Sequence, residues 1–178
     1  MRDQDLAALE ALKDEKDPGP GTFYLRGRLL ERLGRLDEAI NAVGQAYLRA
    51  PGSAELACYL IDLMLSAKDL DGALTVVANA EAASPNDLAV RVRAGEVFVR
   101  AGRVEEGLAR LKSVIETDGV LEDQRMLLRL GQAYLRCDQV GEAEKVFRTA
   151  LGRFPYNREL NVALADVFRS AGRVNDAI

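Results

Sequence analysis

Histidine is absent from this 178-residue chain. That excludes histidine-based acid–base catalysis, Ser-His triads and His-ligated metals. Tryptophan is absent too, and aromatic residues make up only 6%. That is too little for the interleaved stacking platform single-stranded nucleic acid needs. Positive charge is in deficit: the net charge is -4, which disfavours a phosphate backbone as partner. Cysteine is scarce. Cys58 and Cys137 lie too far apart for a disulfide framework or a zinc site and read as small apolar residues, although spacing leaves one long-range disulfide open. Long apolar runs are missing: the amino terminus Met1-Arg2-Asp3-Gln4-Asp5 is charged, and no uncharged stretch reaches a membrane span. The localisation expected is cytoplasmic for a complete chain and periplasmic for a piece of an exported one. What is present, 48% hydrophobic and 29% charged residues, is the composition of a folded chain.

One motif recurs five times. It reads small-turn-polar-apolar-acidic-acidic-small, as in Leu33-Gly34-Arg35-Leu36-Asp37-Glu38-Ala39 and Ala101-Gly102-Arg103-Val104-Glu105-Glu106-Gly107. Its last residue falls at Ala39, Ala73, Gly107, Ala143 and Ala177, in steps of 34, 34, 36 and 34. Gly34, Gly102 and Gly172 sit where a helix must stop in a left-handed backbone. The acidic residues that follow suit the first turn of the next helix. The small residue allows two helices to approach, and a larger one would overpack the contact by about 1–3 kcal/mol.

Pro51, Pro85 and Pro155 alternate with these turns, 12 residues after Ala39, Ala73 and Ala143, and end the second helix of each pair. The third copy has Glu116-Thr117-Asp118-Gly119 there, which predicts a differently shaped link. The first helices carry apolar residues on more than one face and the second helices a narrower stripe, the pattern of stacked helix pairs. Leu74-Thr75-Val76-Val77 is the best strand signal, and it falls inside the helical pattern.

The sequence resembles the tetratricopeptide repeat family. Gly27, Gly34, Ala39, Ala46 and Pro51 carry the resemblance in the first unit. Gly95, Phe98, Gly102 and Leu111 carry it in the third. In the fourth it rests on Gly131, Tyr134, Ala143, Phe147, Ala150 and Pro155. The second unit departs most, with Ile61 and Lys68 in place of glycines. The resemblance implies an all-α fold, an α-solenoid of antiparallel helix hairpins wound as a right-handed superhelix. It implies repeats at 20–53, 54–87, 88–123 and 124–157, and a partial fifth at 158–178. Residues 1–19 read as an N-terminal helix over 3–16 with Asp3 as N-cap, lined by Leu6, Leu9 and Leu12 and stopped by Asp17-Pro18-Gly19-Pro20-Gly21. That helix is the second helix of a preceding, truncated repeat, or else an amphipathic segment that docks in a groove. The chain as a whole reads as a piece of a longer protein, and its alanine-, arginine- and leucine-rich usage has a bacterial look.

The resemblance also implies a binding groove. Tyr24, Cys58, Val92, Leu128 and Val162 form one row, and Arg28, Asp62, Glu96, Gln132 and Asp166 the next. Leu65, Val99 and Leu135 extend an apolar strip beside them. The groove is apolar along one track and mainly acidic along the other, and suits a peptide or helix with apolar and basic residues. The alternative is that neighbouring helices cover the apolar track. Members of the family that grip acidic chaperone tails use a basic clamp, but its places here hold Tyr24, Arg28, Asp62, Ala89 and Arg93, and only Arg93 matches.

Catalysis finds no support. Glu105-Glu106 serves a helix start, Asp69-Leu70-Asp71-Gly72 opens like a calcium loop without the later ligands, and the glycines are dispersed rather than clustered for phosphate. Arg26, Arg28, Arg32 and Arg35 read as solvated helix surface paired with Glu31 and Asp37, in preference to a phosphate or polysaccharide patch. The expectation is therefore a non-catalytic interaction scaffold with no cofactor and no metal. Its partner is protein, not nucleic acid or membrane, with self-association through end faces or the N-terminal helix. The alternatives are a structural segment of a bacterial envelope protein for exopolysaccharide or secretion assembly, and a regulatory domain of a multidomain enzyme.

Overall fold

The computed structural model describes residues 2–13 and 18–172. All regular structure among them is helical: ten α-helices and one 3₁₀ turn. The chain divides into two compact units, residues 1–90 and 91–178.

The first unit holds α1 (Arg2–Lys13), α2 (Pro20–Arg32), α3 (Leu36–Arg49), α4 (Ala54–Ser66) and α5 (Leu70–Ala83). Each packs on the next from α1 to α5. The second holds most of α6 (Leu88–Arg100), then α7 (Val104–Ile115), α8 (Gln124–Arg136), α9 (Val140–Arg153) and α10 (Arg158–Ser170). Here α8 packs on α7, α9 and α10, and α9 on α10.

Side-chain caps fix several helix starts. Ser53 Oγ accepts from the Leu56 amide (3.3 Å), Asp69 from Gly72 (2.9 Å), Asp87 from Val90 (3.0 Å), Asp123 from Met126 (3.0 Å) and Asn157 from Leu160 (2.9 Å). Each satisfies an amide the helix cannot pair itself. The prolines stand just past the C-caps Ala50, Ser84 and Phe154, as expected. The third copy's link forms a 3₁₀ turn, Val120–Glu122, entered through Gly119 at φ 81°, and buries Val120 against α7, α8 and α9. Leu74-Thr75-Val76-Val77 lies inside α5.

Within the hairpins, close approach replaces side-chain bulk. A Cβ on Gly27 would stand 2.3 Å from Val43 Cγ2, on Gly95 2.7 Å from Leu111 Cδ2, and on Gly131 2.3 Å from Phe147 Cε1. The motif's closing Ala39, Ala73 and Ala143 are buried, and a Cβ on Gly107 would meet the Gly95 carbonyl at 2.6 Å. Ala177 lies outside the described residues.

The amino-terminal helix differs from its sequence reading. It begins at Arg2, so Asp3 falls in its first turn rather than at the cap. It runs to Lys13, and residues 14–17 lie outside the described residues. Pro20 does not stop it but opens α2, where its missing N–H costs nothing. On α1, Leu9 is buried, Leu12 half-buried and Leu6 exposed. Asp5, 8% exposed, pairs with Arg32 of α2 at 2.9 Å. The end of the fifth copy, residues 173–178, also lies outside the described residues.

Two turns adopt the left-handed backbone without glycine: Lys68 at φ 62° and Asp138 at φ 56°. Lysine has no local hydrogen bond to offset the Cβ clash, whereas aspartate tolerates this region better. Lys68→Gly should therefore raise the unfolding free energy by about 1 kcal/mol, and Asp138→Gly by less. Urea titration of the two variants checks this; a loss of stability in both would contradict it.

Candidate functional site

The expected groove residues fall on the first helices of the hairpins, but not all of them face solvent. In the first unit, Tyr24 on α2 meets Tyr59 on α4 edge-on, with ring centroids 5.5 Å apart. Arg28 Nη1 donates to Tyr24 Oη at 3.0 Å, and its guanidinium lies 5.8 and 5.9 Å from the two ring centroids. That bond to Tyr24 holds Arg28 more firmly charged. Tyr59 donates to Glu31 Oε2 at 2.7 Å, and burial first, then this bond, push its phenol up. Tyr24 also lines a small cleft of about 160 Å³ with Pro20, Gly21, Glu55 and Leu56. Cys58 and Asp62 are half-buried and Leu65 is buried.

Of the four arginines read as solvated surface, three are held by a hydrogen bond or an ion pair. Arg28 is bound to Tyr24, Arg32 to Asp5, Arg35 to Glu38 by two bonds of 2.6 Å, and Arg26 lies over Phe23. Their partners are not the Glu31 and Asp37 expected from spacing. Tyr59, absent from the expected set, joins through its ring and hydroxyl.

In the second unit, Glu96 departs from the expected acidic track. It is 1% exposed. Arg136 of α8 donates to it from Nε (2.9 Å) and Nη2 (2.6 Å), and Arg93 from Nη1 (2.9 Å). A buried carboxylate must be paired and hydrogen-bonded, and this one is. Val92 is also buried, at 2%, and Val99 is half-buried. The structure does bring Leu128 and Gln132 of α8 together with Val162 and Asp166 of α10. They line one cleft of about 560 Å³, with Arg158, Glu159 and Ala163. Val162 is 54% exposed on its wall, Asp166 is paired with Arg169, and Leu135 is half-buried. Arg158 and Glu159 were missed by the sequence reading. Arg158 stands one helical turn before Val162, so the 3.6-residue period points to it.

Two family models, each described as tetratricopeptide repeat, match this sequence: one at residues 92–158 and 138–178, the other at residues 30–91. The chain belongs to the tetratricopeptide repeat family. Solved structures share its fold. A thermophilic TPR protein of Thermus thermophilus matches at 20% identity and TM-score 0.70, over 93% of this chain and 89% of that one. A tetratricopeptide repeat protein of Parabacteroides merdae matches at 16% identity and TM-score 0.68, over 97% and 69%. MamA of Desulfovibrio magneticus matches at 17% identity and TM-score 0.56, over 92% and 91%. No protein of curated function matches. The tetratricopeptide repeat chain is thus an all-α solenoid of helix hairpins, of a family whose members typically bind protein without catalysis. Among its described residues no helix is long and apolar enough to cross a membrane, and no three metal-ligating side chains stand together.

Glu96→Ala should strip Arg136 and Arg93 of their shared carboxylate and lower stability by about 3 kcal/mol, the low end for a buried pair because both arginines keep some solvent. Urea unfolding measures it; a loss below that of an exposed ion pair would contradict the buried role.

Neither cysteine forms a disulfide. Burial first, then the Glu96 carboxylate, push the Cys137 thiol up to about 11, against about 8.5 in an unfolded chain. As pH rises through that window the unfolded state gives up its proton first, so stability falls. Cys137→Ala should lose less stability than the parent between pH about 8.5 and about 11. Identical slopes in urea titrations across this range would refute it.

Proposed function

We propose that this chain is a non-catalytic protein-interaction module whose partner segment seats in the cleft between α8 and α10. The observation carrying the reading is the convergence of Leu128, Gln132, Val162 and Asp166 on one open cleft. Val162 there leaves more than half its surface in water. Covering such a side chain is favourable in proportion to the apolar area removed from water. One valine supplies at most a few kcal/mol, so the partner needs several apolar anchors, with Leu128 the second. The charges beside them set a preference. Glu159 and Asp166 favour a basic residue at the α10 wall, and Arg158 favours an acidic one a turn earlier. The buried Glu96 takes no part, which shortens the acidic track relative to a full row.

A displayed random-peptide library selected on the purified chain tests this. The enriched peptides should place a lysine or arginine next to a large apolar residue. Val162→Asp should weaken their binding about tenfold while leaving thermal stability unchanged, because the side chain is exposed. Selected peptides whose affinity ignores both Val162→Asp and Asp166→Lys would remove this cleft as the site.

A further inference from the structure

The first unit breaks the repeat's pattern at one position of α2. Arg26 has Leu60, Ala94 and Leu130 as its counterparts in the next three copies, at the motif's own steps of 34, 34 and 36. All three are buried. The hairpin therefore asks for an apolar residue there, and the first copy supplies a guanidinium.

Part of that guanidinium is shut away from water. Arg26 is half-buried, with its Cζ 5.7 Å from the Phe23 ring centroid. Its Nε is buried and has no hydrogen-bond partner. A buried donor left unpaired costs its lost hydration. Arg32 and Arg35 on either side of the next turn avoid that cost by pairing with Asp5 and Glu38. Arg26 enters no ion pair among the described residues.

Arg26 stands on the wall of a cleft of about 380 Å³ between α2 and α3. Small-molecule sites hold about 300–1,000 Å³. Phe23, Leu30 and Ala42 give the cleft an apolar side, and Asp37, Glu38 and Asn41 of α3 a polar one. The charge of Glu38 is met by Arg35 through two bonds of 2.6 Å. Asp37 is exposed and enters no ion pair among the described residues. It serves the start of α3, as Asp71 and Glu105 serve later helices; Arg26 is what the first copy adds to it.

The cleft thus carries one unmatched charge of each sign beside an apolar wall, and this decides the ligand. A simple anion meets Asp37, and a simple cation meets Arg26. Residues 1–90 hold fifteen acidic against nine basic residues, which disfavours an anion further. A molecule carrying both signs on a short apolar frame meets neither penalty.

We propose that the cleft between α2 and α3 binds a small zwitterion of the α-amino-acid class. Its carboxylate accepts from the Arg26 fork, Nε included, a geometry guanidinium suits. Its ammonium group faces Asp37, and its apolar side chain lies against Leu30 and Ala42. Asn41 offers an amide to either charged end.

Calorimetric titration of the whole chain with L-leucine, L-leucine amide and isocaproate tests this. The amide lacks the carboxylate, and isocaproate lacks the ammonium group. Leucine should saturate the chain in the millimolar range and bind about tenfold more tightly than either analogue. Asp37→Asn should weaken leucine about tenfold and leave isocaproate unweakened. Arg26→Leu restores the residue type of the later copies. It should abolish leucine binding and raise the midpoint of thermal unfolding, because the unpaired buried donor is gone. Equal affinity for leucine and both analogues overturns the proposal, and that comparison needs no variant. So does the absence of saturable leucine binding in the millimolar range, an Arg26→Leu chain that binds leucine as the parent does, or one whose thermal midpoint falls.

Discussion

The contact on which the structure rests is a glycine of one helix against a large residue sixteen positions on. Gly27 faces Val43, Gly95 faces Leu111 and Gly131 faces Phe147, each so close that a Cβ would overlap. Cores fill at near-crystalline density, so a missing side chain on one helix must be matched by bulk on the other. The pairing sets the helix separation and the rotation of the first helix about its axis. Once that face is fixed inward, the residues that look outward are fixed too. Positions such as Leu128 and Gln132 on α8 reach a cleft because Gly131 is locked against Phe147. The second copy departs from this pairing: Ile61 stands in the glycine's place although its counterpart sixteen residues on, Val77, is the same residue type as Val43, and both are buried.

Local chemistry made most of the fold legible. Each alternation of turn and proline is decided within a few residues, by a left-handed backbone, a cap or a missing N–H. Where the sequence reading fails, the cause is non-local or conformational. The helix expected over 3–16 starts earlier, at Arg2, because Asp3 looks like a cap until a turn of helix is found to start before it. Lys68 and Asp138 take a backbone that their side chains disfavour, because the hairpin dictates the turn. Glu96 reads as a groove charge because nothing nearby in sequence announces Arg136, forty residues away, which seals it.

The fate of Glu96 also explains why the candidate cleft is open where it is. The residue one step after Glu96 is Gln132, and the one a step after Arg136 is Ser170. A neutral amide and a short hydroxyl do not rebuild a bidentate ion pair. Ser170 instead donates to the backbone carbonyl of Asp166 at 2.8 Å, and Gln132 is left exposed. The same two positions are therefore a lock in one copy and an opening in the next. That opening lets Val162 stand in water beside Leu128.

A repeat array supplies its own control in this way. Residues required by the hairpin recur, and residues that vary between copies are free to serve something else. Phe98, Tyr134 and Phe168 keep an aromatic ring at one position, and Glu106 and Glu142 keep a carboxylate in the first turn of the second helix, where its dipole favours negative charge. What varies is the cover over the ring: Arg103 and Arg110 lie over Phe98, while Gln139 and Val146 stand at their places in the fourth copy. Tyr134 is nevertheless as buried as Phe98. The hairpin therefore fixes the ring and the helix start, and leaves the residues that cover the ring free to change between cation and apolar side chain.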